Sequence, residues 1–221
     1  RPPRSTLFPY TTLFRSEKGN NRYMIEGDKT SKINIINYGK SSLETIGIDT
    51  SDPNSAITPV PVIFANDINI WNADHISKLS IKGGDGQSCS KNENGYKSNR
   101  GKDGSNGAIG GNAIACNTIN LLSSNITIKG GNGGNGGDGG ESKIGGWKIN
   151  EKGTKGGDGG KGGDAIYYKT SCNIGTGNIV LGGVGGEPGQ GGAWGGEFAA
   201  GCSKGDNGNY GKDGVPFTKI F

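Results

Sequence analysis

The chain has 221 residues, 46 of them glycine, with 24 Lys and Arg against 20 Asp and Glu and a single His. Hydrophobic residues make up 30% of the chain, and no run of about 18 apolar residues is present to cross a bilayer as a helix. Glycine-rich composition without a period would argue disorder, so the period decides the class.

Residues 1–16 read RPPRSTLFPYTTLFRS. They look like the in-frame translation of a short-read sequencing adapter, and they are set aside from fold reasoning. The native fragment is then expected to begin near Glu17, without an initiator Met. Setting aside Arg1, Arg4 and Arg15 leaves 21 basic against 20 acidic residues, a net charge of +1 rather than +4. The apparent basicity is largely an artefact, and no electrostatic case remains for a nucleic-acid partner or an anionic membrane.

Residues 17–61 are expected to form a small β-rich region. Short β-like runs stand at Tyr23 to Ile25, Ile33 to Ile36 and Thr45 to Ile48, separated by the turn pairs Gly27-Asp28, Tyr38-Gly39 and Asp52-Pro53. The runs suit a small antiparallel sheet or the first turns of a solenoid. Pro59-Val60-Pro61 marks a boundary.

Residues 62–221 read as a glycine-rich repeat domain with three copies of about 52 residues. Glycines recur every third position at Gly101, Gly104, Gly107 and Gly110, again at Gly153, Gly156, Gly159 and Gly162, and again at Gly205, Gly208, Gly211 and Gly214. Each copy begins with a short alternating run and ends another at Ile81, Ile128 or Leu181, the pattern of strands stacked rung on rung. Phe217 to Phe221 reads as a vestigial fourth start. After each rung a glycine arm leaves, turns and returns. Three residues per turn at about 3.1 Å each give an arm of roughly 37 Å for four triplets.

Ordering a glycine backbone costs roughly 1–2 kcal/mol per residue, and a lone threefold arm makes no internal hydrogen bonds. The arms must therefore be bundled or not ordered at all. Both arms of the second copy carry mostly two glycines per triplet, against mainly one in the return arms of the first and third. The second copy should be central, with the others as caps.

The triplets GGN-GGN-GGD from Gly130 onward resemble polyglycine-II bundles. Two groups build on them: receptor-binding adhesins at the tips of phage long tail fibres, and springtail glycine-rich antifreeze proteins. The resemblance covers roughly residues 83–216. It implies polyglycine-II arms but not a β-rich base. With the stacked strands read from the alternating runs, the expected fold is all-β, short stacked strands with three projecting polyglycine-II hairpins forming a sandwich. By the adhesin likeness, the irregular arm tips at residues 88–100, 141–152 and 194–204 would be the binding surface, through Tyr96, Trp147, Trp194 and Phe198. The same aromatics could simply seal the bundle end. By the antifreeze likeness, a flat, mostly uncharged face would bind ice. Outward Asn132, Asn135, Asp138, Asp158 and Lys161 hydrate strongly and argue against such a face.

Other chemistry is sparse. Cys89 and Cys202 lie in tips and Cys116 and Cys172 in rungs. A disulfide needs Cα atoms within about 7 Å, so long arms leave Cys116–Cys172 with Cys89–Cys202, or four unpaired thiols. No CxxC or His–Cys spacing supports zinc. Gly159 to Tyr167 fits the calcium-binding nonapeptide, but such sites need tandem nine-residue turns, so Asp164 and Asn112 read instead as caps of an arm-to-strand junction. No phosphate loop is present, and His75 has no partner for catalysis. Asn125-Ile126-Thr127 is a glycosylation sequon in an expected mid-strand position. No metal, cofactor or catalytic residue is expected.

The sequence therefore predicts a non-enzymatic, extracellular or virion-surface recognition module. Its partner would be a cell-surface glycan or outer-surface protein. Ice binding, or a structural segment of a larger surface protein, are the alternatives.

Overall fold

A computed structural model describes residues 25–26, 32–37, 40–44, 61–89, 101–142, 148–149, 151–194 and 199–220. Among these the fold is all-β and contains no helix. The strands in chain order are β1 (Ile25–Glu26), β2 (Lys32–Asn37), β3 (Lys40–Glu44), β4 (Ile63–Asn72), β5 (Lys78–Lys82) and β6 (Ile114–Leu121). They continue with β7 (Ile126–Lys129), β8 (Lys148–Ile149), β9 (Ile166–Ile174), β10 (Ile179–Leu181), β11 (Ala199–Ala200) and β12 (Phe217–Lys219).

The base is two parallel sheets. One runs β1–β4–β6–β9–β12, with β2 also on β4; the other runs β10–β7–β5–β3. The step between rungs is the repeat itself: Ile63 stands beside Ile114 and Ile114 beside Ile166, while Ile81 stands beside Ile128 and Ile128 beside Val180. Strands β2 and β3 pair in parallel with β4 and β5. They are thus a first rung of the same stack, and of the two arrangements open for residues 17–61 the described strands follow the solenoid one. The expected run at Thr45 to Ile48 lies outside the described residues. The β12 pairing with β9 makes Phe217 the start of a fourth copy of the repeat and a fifth rung of the stack.

Alternation buries one face of each rung. Ile63, Ile68, Ile70, Ile81, Ile114, Ile119, Ile126, Ile128 and Ile166 all have 0% exposure. β-Branched side chains suit this stacked, pleated surface. The outward face carries a column of asparagines. Asn69 donates from Nδ2 to Asn34 Oδ1 at 2.9 Å, Asn120 to Asn69 at 2.9 Å, and Asn173 to Asn120 at 2.7 Å. Each rung thus adds one side-chain hydrogen bond in register with the backbone ladder.

Six arms project from the base in two rows. The outgoing arms are residues 83–89, 130–142 and 182–194, and the returning arms are 101–112, 151–164 and 203–216. The second outgoing arm gives its Gly133, Gly136 and Gly139 amides to the third outgoing arm, and its Gly130 amide to Leu181 at the end of β10. Its Gly131, Gly134, Gly137 and Gly140 amides go to the first return arm. The second return arm behaves likewise: Gly156, Gly159 and Gly162 donate to the third return arm, and Gly157, Gly160 and Gly163 donate back to the second outgoing arm. The second copy is central, as its glycine density requires.

The third residue of each triplet completes the accounting. Asn132 and Asn135 donate their amides to Asp85 Oδ1 and Ser88 Oγ of the first copy. In turn Asn132, Asn135 and Asp138 accept the amides of Val184, Glu187 and Gln190 of the third, at 2.8–3.1 Å. The returning row repeats this, with Asp103, Asn106 and Asn112 accepting from Lys155, Asp158 and Asp164. All three amides of a central triplet are therefore satisfied. Pro188 stands midway between Gly185 and Gly191, whose amides are taken by Asp213 and Asn207. The threefold step puts Tyr210 across from Pro188, so this residue without an amide sits where no carboxylate or carboxamide is offered.

A Cβ on Gly134 would lie 2.0 Å from the Gln87 carbonyl oxygen, and one on Gly160 would lie 2.0 Å from that of Ala108. Both obstacles are backbone and cannot swing aside. Gly134→Ala and Gly160→Ala should each destabilise the chain by about 1–3 kcal/mol or more. Ala108→Gly, in the arm between them, should cost about 1 kcal/mol or less. Urea denaturation of the three variants separates the classes.

Candidate recognition surface at the distal end

The arms carry the chain to a distal end where the threefold pattern stops. Ser142 closes the second outgoing arm and is fully buried. Its Oγ accepts the Gly101 amide of the first copy at 3.2 Å, its own amide donates to Ala193 O of the third at 3.0 Å, and it forms a parallel bridge with Trp194. One small residue, through its hydroxyl on one side and its backbone amide on the other, thus ties the roots of all three tips together. Thr154, also fully buried, replaces a glycine on the facing arm and donates from Oγ1 to Gly140 O.

Tips two and three lie side by side. Strands β8 and β11 pair in parallel, Lys148 beside Ala199 and Ile149 beside Ala200. Lys152 bridges Ser203 across the same seam, and its Nζ meets Asp206 Oδ2 at 2.6 Å. Gly201 turns the chain back with φ of 72°, a left-handed conformation glycine adopts without a Cβ penalty. Trp194 is half-buried at the rim of this seam. Tyr96, Trp147 and Phe198 lie outside the described residues.

Of the two arrangements open for the cysteines, four unpaired thiols is the one found. Cys116 stands beside Tyr168, and Cys172 beside Ile119, with an irregularity in β9 between them. The rung register therefore keeps the two apart along the strand direction. Burial pushes the Cys116 thiol up to about 12 and the Cys172 thiol up to about 11. Cys89 donates from Sγ to Asn106 O at 3.0 Å in the first copy, an arm away from Cys202 in the third.

Asp164 stands at the junction of the second return arm with β9. Its Oδ1 accepts the Val215 amide at 3.0 Å and Lys161 Nζ at 3.2 Å, and its Oδ2 accepts the Thr218 hydroxyl at 2.7 Å. Its own amide goes to Asn112 Oδ1 at 2.9 Å. The calcium-like nonapeptide thus serves as a junction cap. Burial alone would raise this carboxyl, but the Thr218, Val215 and Lys161 bonds outweigh it and hold it below the ordinary value of 3.8. No cluster of three His, Cys, Asp or Glu side chains occurs among the described residues.

Two other sequence readings change. Asn132, Asn135, Asp138 and Asp158 are not merely hydrated, because each gives an oxygen to the next arm. The recurrence of Asn or Asp at one triplet position, 52 residues apart, was the available signal. Asn125 of the sequon is not in mid-strand. It precedes β7 in an exposed turn with φ of 62°, and its Nδ2 donates to His75 O at 3.0 Å.

Two outcomes follow. Asp164→Asn should cost about 1–3 kcal/mol at neutral pH. Because the folded-state pKa is depressed, the carboxylate's contribution is present above pH 3.8 and lost as pH falls toward the folded value. The variant should accordingly show a flatter acid limb in pH-dependent denaturation. In native alkylation at neutral pH, Cys116 and Cys172 should react far more slowly than an unhindered thiol. All four should become free to label in denaturant without reductant, and mass spectrometry counts them.

No family model matches the chain, and no curated protein matches it. Among solved structures, the springtail antifreeze protein from Granisotoma rainieri, a bundle of nine polyproline type II helices, is 18% identical. The match covers 81% of this chain and 95% of that one, with a TM-score of 0.23. No helix among the described residues is long and apolar enough to cross a membrane.

Proposed function

We propose that this protein is a non-enzymatic recognition module of a cell or virion surface. It holds the distal loops of three glycine hairpins against a glycan or an outer-surface protein. The observation that carries this reading is the division of labour along the arms. Their backbone amides are taken up by neighbouring arms, and even the third-position side chains are drawn into that lattice. The body is thus committed to its own rigidity. The distal end is where irregular sequence gathers, with tips two and three held in register beside each other by the Ser142 knot and the β8–β11 seam.

Rigid positioning of loops lowers the ordering cost of binding, and aromatic side chains at such ends supply area and stacking faces. Trp194 at the rim is the described side chain best placed for that role. The long outer faces serve the reading less well. The outgoing row presents Asp85, Asp138 and Glu187, and the returning row presents the pairs Lys155–Asp158 and Lys161–Asp164. A regular face of this charge holds its own hydration.

Glycan arrays and whole-cell binding test the proposal. Replacing residues 143–147 and 195–198 with Gly-Ser, or making Trp194→Ala, should lower binding at least about tenfold, the loss expected of an interface anchor, with the thermal unfolding of the arms unchanged. Binding that survives tip replacement overturns the reading. So does thermal hysteresis of the intact chain that persists when the tips are replaced.

A further inference from the structure

An asparagine followed by glycine is prone to a covalent change in water. The glycine amide nitrogen attacks the asparagine Cγ, and Nδ2 leaves as ammonia, taking the glycine amide proton. Water then opens the five-membered imide at Cγ to leave aspartate, or at the main-chain carbonyl to leave isoaspartate. Glycine permits the attack because no Cβ hinders its nitrogen. Four such pairs lie among the described residues: Asn106-Gly107, Asn132-Gly133, Asn135-Gly136 and Asn207-Gly208. Asn94-Gly95 lies outside them.

Three of the four pairs close on a single residue of the next copy. Asn132 Oδ1 accepts the Val184 amide at 3.1 Å, while the Gly133 amide donates to Val184 O at 2.8 Å. Asn135 and Gly136 hold Glu187 in the same way, at 2.9 and 2.8 Å. Asn106 and Gly107 hold Asp158, both at 2.8 Å. In each clasp the two groups that must meet are instead drawn onto the N–H and C=O of one neighbouring residue. The attack requires both bonds to open together.

Asn207-Gly208 is held differently. Asn207 Oδ1 reaches across to the facing row and accepts the Gly191 amide at 3.1 Å, while Gly208 donates to Gly189 O at 3.0 Å. Two separate residues hold the two groups, so either bond can open alone. Exposure does not make the distinction, since Asn106, Asn135 and Asn207 are all exposed. We infer that Asn207 is the site at which the arm lattice deamidates, and that the clasp spares the other three. Conversion to aspartate keeps an oxygen for the Gly191 amide. Isoaspartate adds a methylene to the main chain and puts the arm beyond it out of its threefold step.

Peptide mapping by mass spectrometry of the full chain, aged at mildly alkaline pH, tests the assignment. Asn207 should convert at least about tenfold faster than Asn106, Asn132 and Asn135, because two hydrogen bonds must break together in each clasp. In urea at the same pH the four rates should converge. Two isosteric variants carry the test to new positions. Asp213 Oδ1 accepts the Gly185 amide while Gly214 donates to Gly183 O, an unclasped pair. Asp138 and Gly139 both close on Gln190, a clasped one. Asp213→Asn should therefore deamidate at a rate near that of Asn207, and Asp138→Asn at the slow rate of Asn135. An Asn207 rate no faster than the other three, an order of rates that persists in urea, or equal rates at positions 138 and 213 each overturns the inference.

Discussion

The structure depends on how closely two peptide backbones can approach. Where both lack a Cβ, amides and carbonyls of neighbouring arms meet directly, and a lattice of N–H···O bonds of 2.7–3.0 Å replaces an apolar interior. Each bond contributes only about 1 kcal/mol net, so the lattice holds by number and regularity. It also tolerates little variation at the inward positions. A Cβ at Gly107 would lie 1.9 Å from the Gly134 oxygen, and one at Gly183 would lie 1.8 Å from that of Gly131.

Close approach alone leaves one amide in three without a partner. The short carboxamides and carboxylates of the third triplet position supply it, each reaching sideways to the following copy. The same residue type recurs on the base, where Asn34, Asn69, Asn120 and Asn173 form a side-chain ladder along the rungs. Arms and base therefore share one device, a side-chain bond that repeats at the period of the sequence. This explains how a threefold arm and a pleated strand stay in step across copies. A slip of either would break both the backbone ladder and the side-chain ladder at once.

The arms and their order were legible because glycine spacing is a direct image of the packing constraint. A central arm needs two bare faces, and the doubled glycines of residues 130–140 and 156–163 announce them. The rungs were legible from alternation. The third-position bonds were harder to read, because Asn and Asp outside a core look the same whether they face water or a neighbour's amide. The choice between paired and unpaired cysteines stayed open in the sequence for a related reason. Which side chains meet depends on register and on the irregularity in β9, neither of which spacing reveals. For the distal end, sequence located the tips but gave no hint of the Ser142 knot, since a buried serine has no pattern of its own. The aromatic residues Tyr96, Trp147 and Phe198 fall where the chain leaves both periodicities, and there neither rule applies.

The arrangement of arms also sets how the molecule answers to load. A pull on the tips along the arm axis strains many short bonds at once, because all lie crosswise to the force and share it in shear. A pull on the flank of the third copy loads the same bonds one after another, as a zipper is opened. A body anchored through its strands and tugged by its tips would thus be stiff in the direction of tension and weak to sideways peeling, an anisotropy written into the sequence by where its glycines fall.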